Sequence, residues 1–175
     1  MNDVFLISDP HFSHANICTF FLNNGEPARP FDDIDVMDET IISNFNKMVT
    51  NSDKTYFLGD VVFSKAKLNI LERMNGKKVL ILGNHDKHKT IDYLKYFKDV
   101  RSSHLLDNYI LTHIPIHPGS KSRFKGNIHG HLHNNRVLLP NGEIDPWYFS
   151  VCVELTDYRP MYYKDVIENF KWQSL

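Results

Sequence analysis

Seven side chains stand out by type and spacing: Asp9, His11, Asp60, Asn84, His113, His131 and His133. They offer carboxylate oxygens, an amide oxygen and imidazoles, with no thiolate among them. Such donors suit borderline-hard divalent ions such as manganese, iron or zinc, rather than calcium or an iron–sulfur cluster. Residues at i and i+2 of an extended segment point the same way, so Asp9 and His11 can serve one ion. For His131 and His133 the same spacing serves one ion or two adjacent ones. Seven ligands exceed what one ion takes from a protein while keeping a reactive position open. Two ions bridged by a carboxylate accommodate them, about 3.5–4 Å apart and sharing a water that ionises near neutral pH. A site left positive after one hydroxide binds calls for an anionic substrate, and a phosphate ester is the natural one.

The elements that must position these groups are strand ends. Val4–Ser8 reads as a buried strand running into Asp9-Pro10-His11. Lys54–Leu58 ends in Gly59-Asp60, and Lys78–Leu82 ends in Gly83-Asn84-His85-Asp86. In open α/β sheets, sites collect outside the carboxyl ends of the strands, so three such clusters on parallel neighbours would meet at one edge. Between them, helices are expected at 35–49, with Asp35 as N-cap and Met37, Ile41, Phe45 and Met48 inward, at 64–74 and at 90–97. The later chain reads as strands at 100–106, 109–113, 127–133 and 148–155, then a helix at 163–172. Long loops fall at 23–34 and 134–146. Alternating strands and helices predict a mixed α/β class.

Composition narrows the function. The 175 residues are 42% hydrophobic and 23% charged, the profile of one ordinary globular domain spanning residues 1–175. Net charge is −1 and the sequence pI about 6.8, which provides no broad cationic surface for extended nucleic-acid binding. The apolar stretch Val4–Ile7 is too short for a signal peptide, and no run approaches the roughly 20 apolar residues of a membrane span. Cys18 and Cys152 read as two free thiols of a reducing compartment, so a cytoplasmic location is expected. No Gly-Lys-Ser/Thr phosphate loop, Rossmann fingerprint or Gly-x-Ser-x-Gly elbow is present, which argues against ATP-driven chemistry, hydride transfer and serine hydrolysis.

In order, Asp9-Pro10-His11, Gly59-Asp60, Gly83-Asn84-His85-Asp86, His113 and Gly130-His131-Leu132-His133 resemble the calcineurin-like metallophosphoesterase signature. The stretch 12–31 and the tail 148–155 are similar to small stand-alone bacterial and phage members. The resemblance implies a four-layer αββα sandwich, in which helices flank two packed mixed sheets. It implies one ion on Asp9, His11, Asp60 and His133, and a second on Asp60, Asn84, His113 and His131, with Asp60 bridging. The ions would be manganese ahead of iron, zinc or nickel. It also implies that Asn84 and His85 contact the phosphate, that His85 assists the leaving oxygen, and that a hydroxide between the ions attacks phosphorus in line. Where the large protein phosphatases carry an acid and an arginine after Gly-Asp, Val61-Val62-Phe63 follow here. A phosphodiesterase on a small, nucleotide-derived substrate is therefore expected ahead of a phosphomonoesterase, a nuclease or a non-catalytic protein-binding scaffold.

Other residues carry weaker expectations. His14, one turn beyond His11, and Arg29, in its long loop, are candidates to reach substrate. His117 sits in a rigid loop after His113, and His129 supports or shares the face of His131. Lys121, Arg123 and Lys125 interleave with Phe124 as a candidate phosphate clamp. Asp86 stands between orienting the site and capping the next helix. His88 and His104 read as surface residues.

Overall fold

In the computed structural model, which describes residues 2–22 and 24–172, two mixed sheets pack face to face with helices flanking them. The first has the order β4-β3-β2-β1-β9. Its strands β1 (Val4–Ile7), β2 (Lys54–Phe57), β3 (Lys77–Ile81) and β4 (Asp99–Arg101) run parallel, and β9 (Met161–Tyr162) closes the edge antiparallel to β1. The second has the order β5-β6-β7-β8, built from His104–Leu106, Tyr109–Leu111, Gly126–His129 and Tyr148–Ser150. There β5 and β6 form a hairpin through Asp107-Asn108, both at positive φ, the geometry of a tight hairpin turn. Strands β6, β7 and β8 are parallel.

The period-2 alternation of the strands divides the core in two. Phe5, Ile7, Phe57 and Leu80 face α1 (Ile34–Met48), whose Met37, Ile41 and Phe45 are buried against them. Leu6, Leu58, Val79 and Ile81 face Leu111, Ile128 and Val151 of the second sheet. Into that same cluster α3 (Tyr163–Trp172) inserts Tyr163, Val166 and Phe170. The two sheets join beside β1, where Ser8 bridges Cys152 and donates its N–H to the Val151 carbonyl at 3.0 Å.

Several elements differ from the sequence reading. Asp33, not Asp35, caps α1, accepting the Val36 N–H at 2.8 Å. The segment read as a helix over 64–74 forms a 3-10 helix, Lys65–Arg73. That over 90–97 keeps α geometry only through α2 (Thr90–Tyr93). The single strand read over 100–106 is two, broken at Ser102-Ser103, and the break carries the chain from one sheet to the other. Strands β7 and β8 stop at His129 and Ser150, so His131 and His133 belong to a loop and 153–155 to a 3-10 turn.

Candidate metal centre

The segments leaving β1 and β2 stay paired past the ends of the strands. Asp9 N–H donates to the Gly59 carbonyl and His11 N–H to that of Asp60, each at 3.1 Å. Yet Asp9, His11 and Asp60 all have φ between +52° and +57°, and His131 and His133 sit at +70° and +50°. For residues with a Cβ this region costs about 1–3 kcal/mol each, and it collects where function imposes it. The left-handed kinks turn five candidate ligand side chains toward one region.

That region holds two triplets, Asp9 with His11 and His133, and Asp60 with His113 and His131, each with donor atoms within 4.8 Å of one another. Within the first, Asp9 Oδ1 lies 3.7 Å from His11 Nε2 and 4.0 Å from His133 Nε2. Asp60 Oδ2 lies 3.3 Å from His113 Nε2 and also 3.7 Å from His11 Nε2, so it faces both triplets. Asn84 Oδ1 is 2.9 Å from His113 Nε2. Donors about 2.1 Å from a common ion stand roughly 3–3.5 Å apart, so these clusters are ion-sized and slightly open. Asp9 Oδ1 and His11 Nε2 are buried and have no hydrogen-bond partner. Buried polar atoms are otherwise almost always paired, and a cation is the partner this donor set fits.

Around the donors, the second atoms of four of these side chains are tied down. His113 Nδ1 donates to the Leu58 carbonyl at 2.7 Å, and His133 Nδ1 to Glu154 Oε1 at 2.7 Å, which leaves both Nε2 lone pairs facing inward. Asp9 Oδ2 accepts from Ser8 Oγ (2.6 Å), the His131 N–H (2.8 Å) and Cys152 Sγ (3.2 Å). Asp60 Oδ1 accepts the His85 N–H at 2.8 Å. Asp86 accepts the N–H groups of Asp60, Val61 and Gly83 at 2.8–3.0 Å, clasping two of the ligand turns together. A Cβ at Gly83 would overlap Asp60 Oδ1, and one at Gly130 would overlap Ser8 Oγ and Asp9 Oδ2. The glycines of Gly-Asn-His-Asp and Gly-His-x-His are there for close approach.

Electrostatics follow from this packing. Burial by itself would raise Asp9 and Asp60, but the facing imidazoles hold both below the usual carboxylate range. Burial lowers His131. It also pulls on His113 and His133, where the carboxylates Asp60 and Glu154 outweigh it and raise them.

Two residues were misread or missed from sequence. Arg29 does not reach outward: it is fully buried, donates to the carbonyls of Asp9 (2.5 Å) and Pro10 (2.8 Å), and pairs with Glu154 at 2.7 Å. Glu154, which orients His133, falls in the tail 148–155 that resembles the family, but the resemblance assigns no residue of that tail a role. A buried arginine needs an acid, and that pairing rule is what singles Glu154 out.

Among the other candidates, His14 and His85 flank the centre. The His14 ring lies 5.5 Å from that of His11, and the His85 ring 5.8 Å from it. Burial and the neighbouring His11 push His14 down to about 4, so it is neutral at physiological pH. His117 is exposed and caps a 3-10 turn through the Gly119 N–H. His129, the last residue of β7, donates its Nδ1–H to the Gly130 carbonyl at 2.8 Å, and burial lowers it to about 4. Lys121 is held by Asp145 at 2.5 Å rather than free for phosphate. His88 and His104 are half-buried against Tyr93 and Tyr56, not surface residues.

No protein-family model matches the chain. The uncharacterized protein MJ1445 of Methanocaldococcus jannaschii is 34% identical over 170 residues, 92% of this chain and 87% of that protein. The crystal structure of AQ665, a protein of unknown function from Aquifex aeolicus, aligns over 96% of this chain and 99% of its own, with a TM-score of 0.73 and 25% identity. No helix among the described residues is long and apolar enough to cross a membrane.

Proposed function

The chain belongs to the same family as the Methanocaldococcus jannaschii protein, and we propose that it is a two-metal phosphoesterase of the calcineurin-like metallophosphoesterase type, acting on phosphodiesters. The observation that carries this reading is the pair of buried, unpartnered donor atoms, Asp9 Oδ1 and His11 Nε2, in the first of two neighbouring triplets that Asp60 faces. Asp9, His11, Asp60 and His133 would hold one divalent ion, and Asp60, Asn84, His113 and His131 the other. Such ions supply charge to phosphoryl oxygens and a water that ionises near neutral pH.

The chain's own residues do the rest. Glu154 and the Leu58 carbonyl fix the tautomers and aims of His133 and His113. Asp60 anchors the backbone of His85, whose ring stands beside His11 and would donate a proton to the departing oxygen. Recesses open on both flanks: one of about 210 Å³ runs past His11, His85 and His133, and one of about 380 Å³ past Asn84 and His113. A diester carries two substituents and a monoester one, so paired recesses favour the diester.

The test is to strip the protein with chelator, restore manganese, and compare bis(p-nitrophenyl) phosphate with p-nitrophenyl phosphate. Faster turnover of the diester is expected. Two bound ions with no hydrolysis of either ester under any divalent metal would overturn the reading. His85→Ala is expected to keep both ions and lose about 100-fold or more in turnover.

A further inference from the structure

The smaller recess has a wall unlike the donor clusters. Beside His11, His85 and His133 it takes in the polar Asn134, Asn135 and Glu154, but its outer side is apolar, Ile17, Phe20, Leu22 and Ala28, with His14 next to them. The outer side is built by one segment. A 3-10 turn over Ala15–Thr19 buries Ile17 in the core, and then Phe21 and Pro27 pair antiparallel, with Ala28 N–H donating to the Phe20 carbonyl at 2.8 Å. This segment is therefore braced at its base.

Aromatic rings gather at this corner without being buried. His14 stacks flat on Phe63, centroids 3.9 Å apart and planes 3° from parallel, and Phe20 meets His14 edge-on at 6.2 Å. Phe20, Phe21 and Phe63 are the exposed phenylalanines of the described residues, and all three lie on or beside this segment and its stacked histidine. Core packing does not account for them. Exposed aromatic area against a cationic centre does have a use: it holds the flat part of a ligand whose anionic part sits on the ions. Volume sets the scale. Pockets for whole drug-sized ligands run about 300–1,000 Å³, whereas about 210 Å³ here takes a single ring system.

We propose that this recess binds a flat aromatic substituent of the phosphate ester, one ring system in size, held by His14, Phe20 and Leu22 while the phosphate occupies the centre. The proposal rests on the phosphoesterase reading and adds to it the class of substituent.

Calorimetry on the manganese-loaded protein tests it with methylphosphonate, cyclohexylphosphonate and phenylphosphonate, which share the anion and differ in the group that would fill the recess. Phenylphosphonate is expected to bind about tenfold tighter than methylphosphonate, with cyclohexylphosphonate at least threefold behind phenyl, roughly the worth of one ring stack. Ala28→Phe, which fills the recess, is expected to abolish the phenyl advantage while two ions remain bound. Phe20→Ala, at the surface and safe for folding, is expected to cut that advantage at least by half. Equal affinity for phenyl and methyl in a protein that hydrolyses the diester would overturn the recess and leave the phosphoesterase standing. Cyclohexyl binding as tightly as phenyl would overturn the aromatic preference. Failure to bind manganese at all would sink both.

Discussion

Two buried aspartates mark opposite ends of the first sheet. Asp53 precedes β2 at the amino edge, and Asp9 follows β1 at the carboxyl edge. Asp53 is complete: Oδ1 accepts the Asp3 N–H at 2.9 Å, and Oδ2 accepts the Thr50 N–H and hydroxyl at 2.8 and 2.7 Å. Asp9 is half complete, with Oδ2 saturated and Oδ1 facing two imidazoles with no proton donor. Backbone strain follows the same divide, since five left-handed non-glycine residues of the centre lie at the carboxyl edge. One end of the sheet is finished by the chain itself. The other keeps an unsatisfied acceptor, at a cost of about 1–3 kcal/mol, which on the proposed reading a cation would complete.

The largest break in that contrast is Asp60→Ala, which removes the one carboxylate facing both triplets. Metal content by elemental analysis is expected to fall from two ions to at most one, with turnover down about 1,000-fold or more. Retention of two ions would mean that Asp60 bridges nothing. Next in size is the effect of the metal on stability. Manganese at about 100 times its dissociation constant should add about 2.7 kcal/mol, or roughly 5–10 °C in Tm. An unchanged Tm with metal bound would show that the carboxyl edge needs no ligand.

Glu154→Gln sharpens the contrast within the carboxyl edge. It weakens the hold on His133 Nδ1 and leaves Arg29 with a neutral partner. Affinity of the first ion is expected to fall about 10- to 100-fold, read by chelator competition, while the second ion stays. Equal loss of both ions would argue that Glu154 supports the fold rather than His133.

Glu154 and Arg29 also mark where the sequence stopped being readable. Asp9, Asp60 and Asn84 could be placed because each follows an apolar run by two residues, and a strand end is a local signal. Arg29 and Glu154 lie 125 residues apart and acquire meaning only when the second sheet docks beside β1. The same limit explains the strand over 100–106. Its β propensity is real, but the switch between sheets at Ser102-Ser103 is a tertiary event. The 3-10 form of 65–73 was hidden because Leu68 and Leu71, both buried, are spaced by three, which either helix type permits.

The smallest expected effect belongs to the amino edge. Asp53→Ala strips three hydrogen bonds, so a loss of about 1–2 kcal/mol is expected at pH 7 by denaturant unfolding. Metal affinity and turnover should not move. The pH dependence has a definite sign. The Thr50 hydroxyl and N–H hold Asp53 below the usual carboxylate range in the folded state, so the charged form is favoured by folding. That contribution is present above the unfolded value of about 3.9 and is lost as pH falls through the lower folded value. The gap between wild type and Asp53→Ala should therefore narrow below about pH 4. A variant that lost manganese along with its stability would erase the contrast, because the two ends of the sheet would then be one cooperative site.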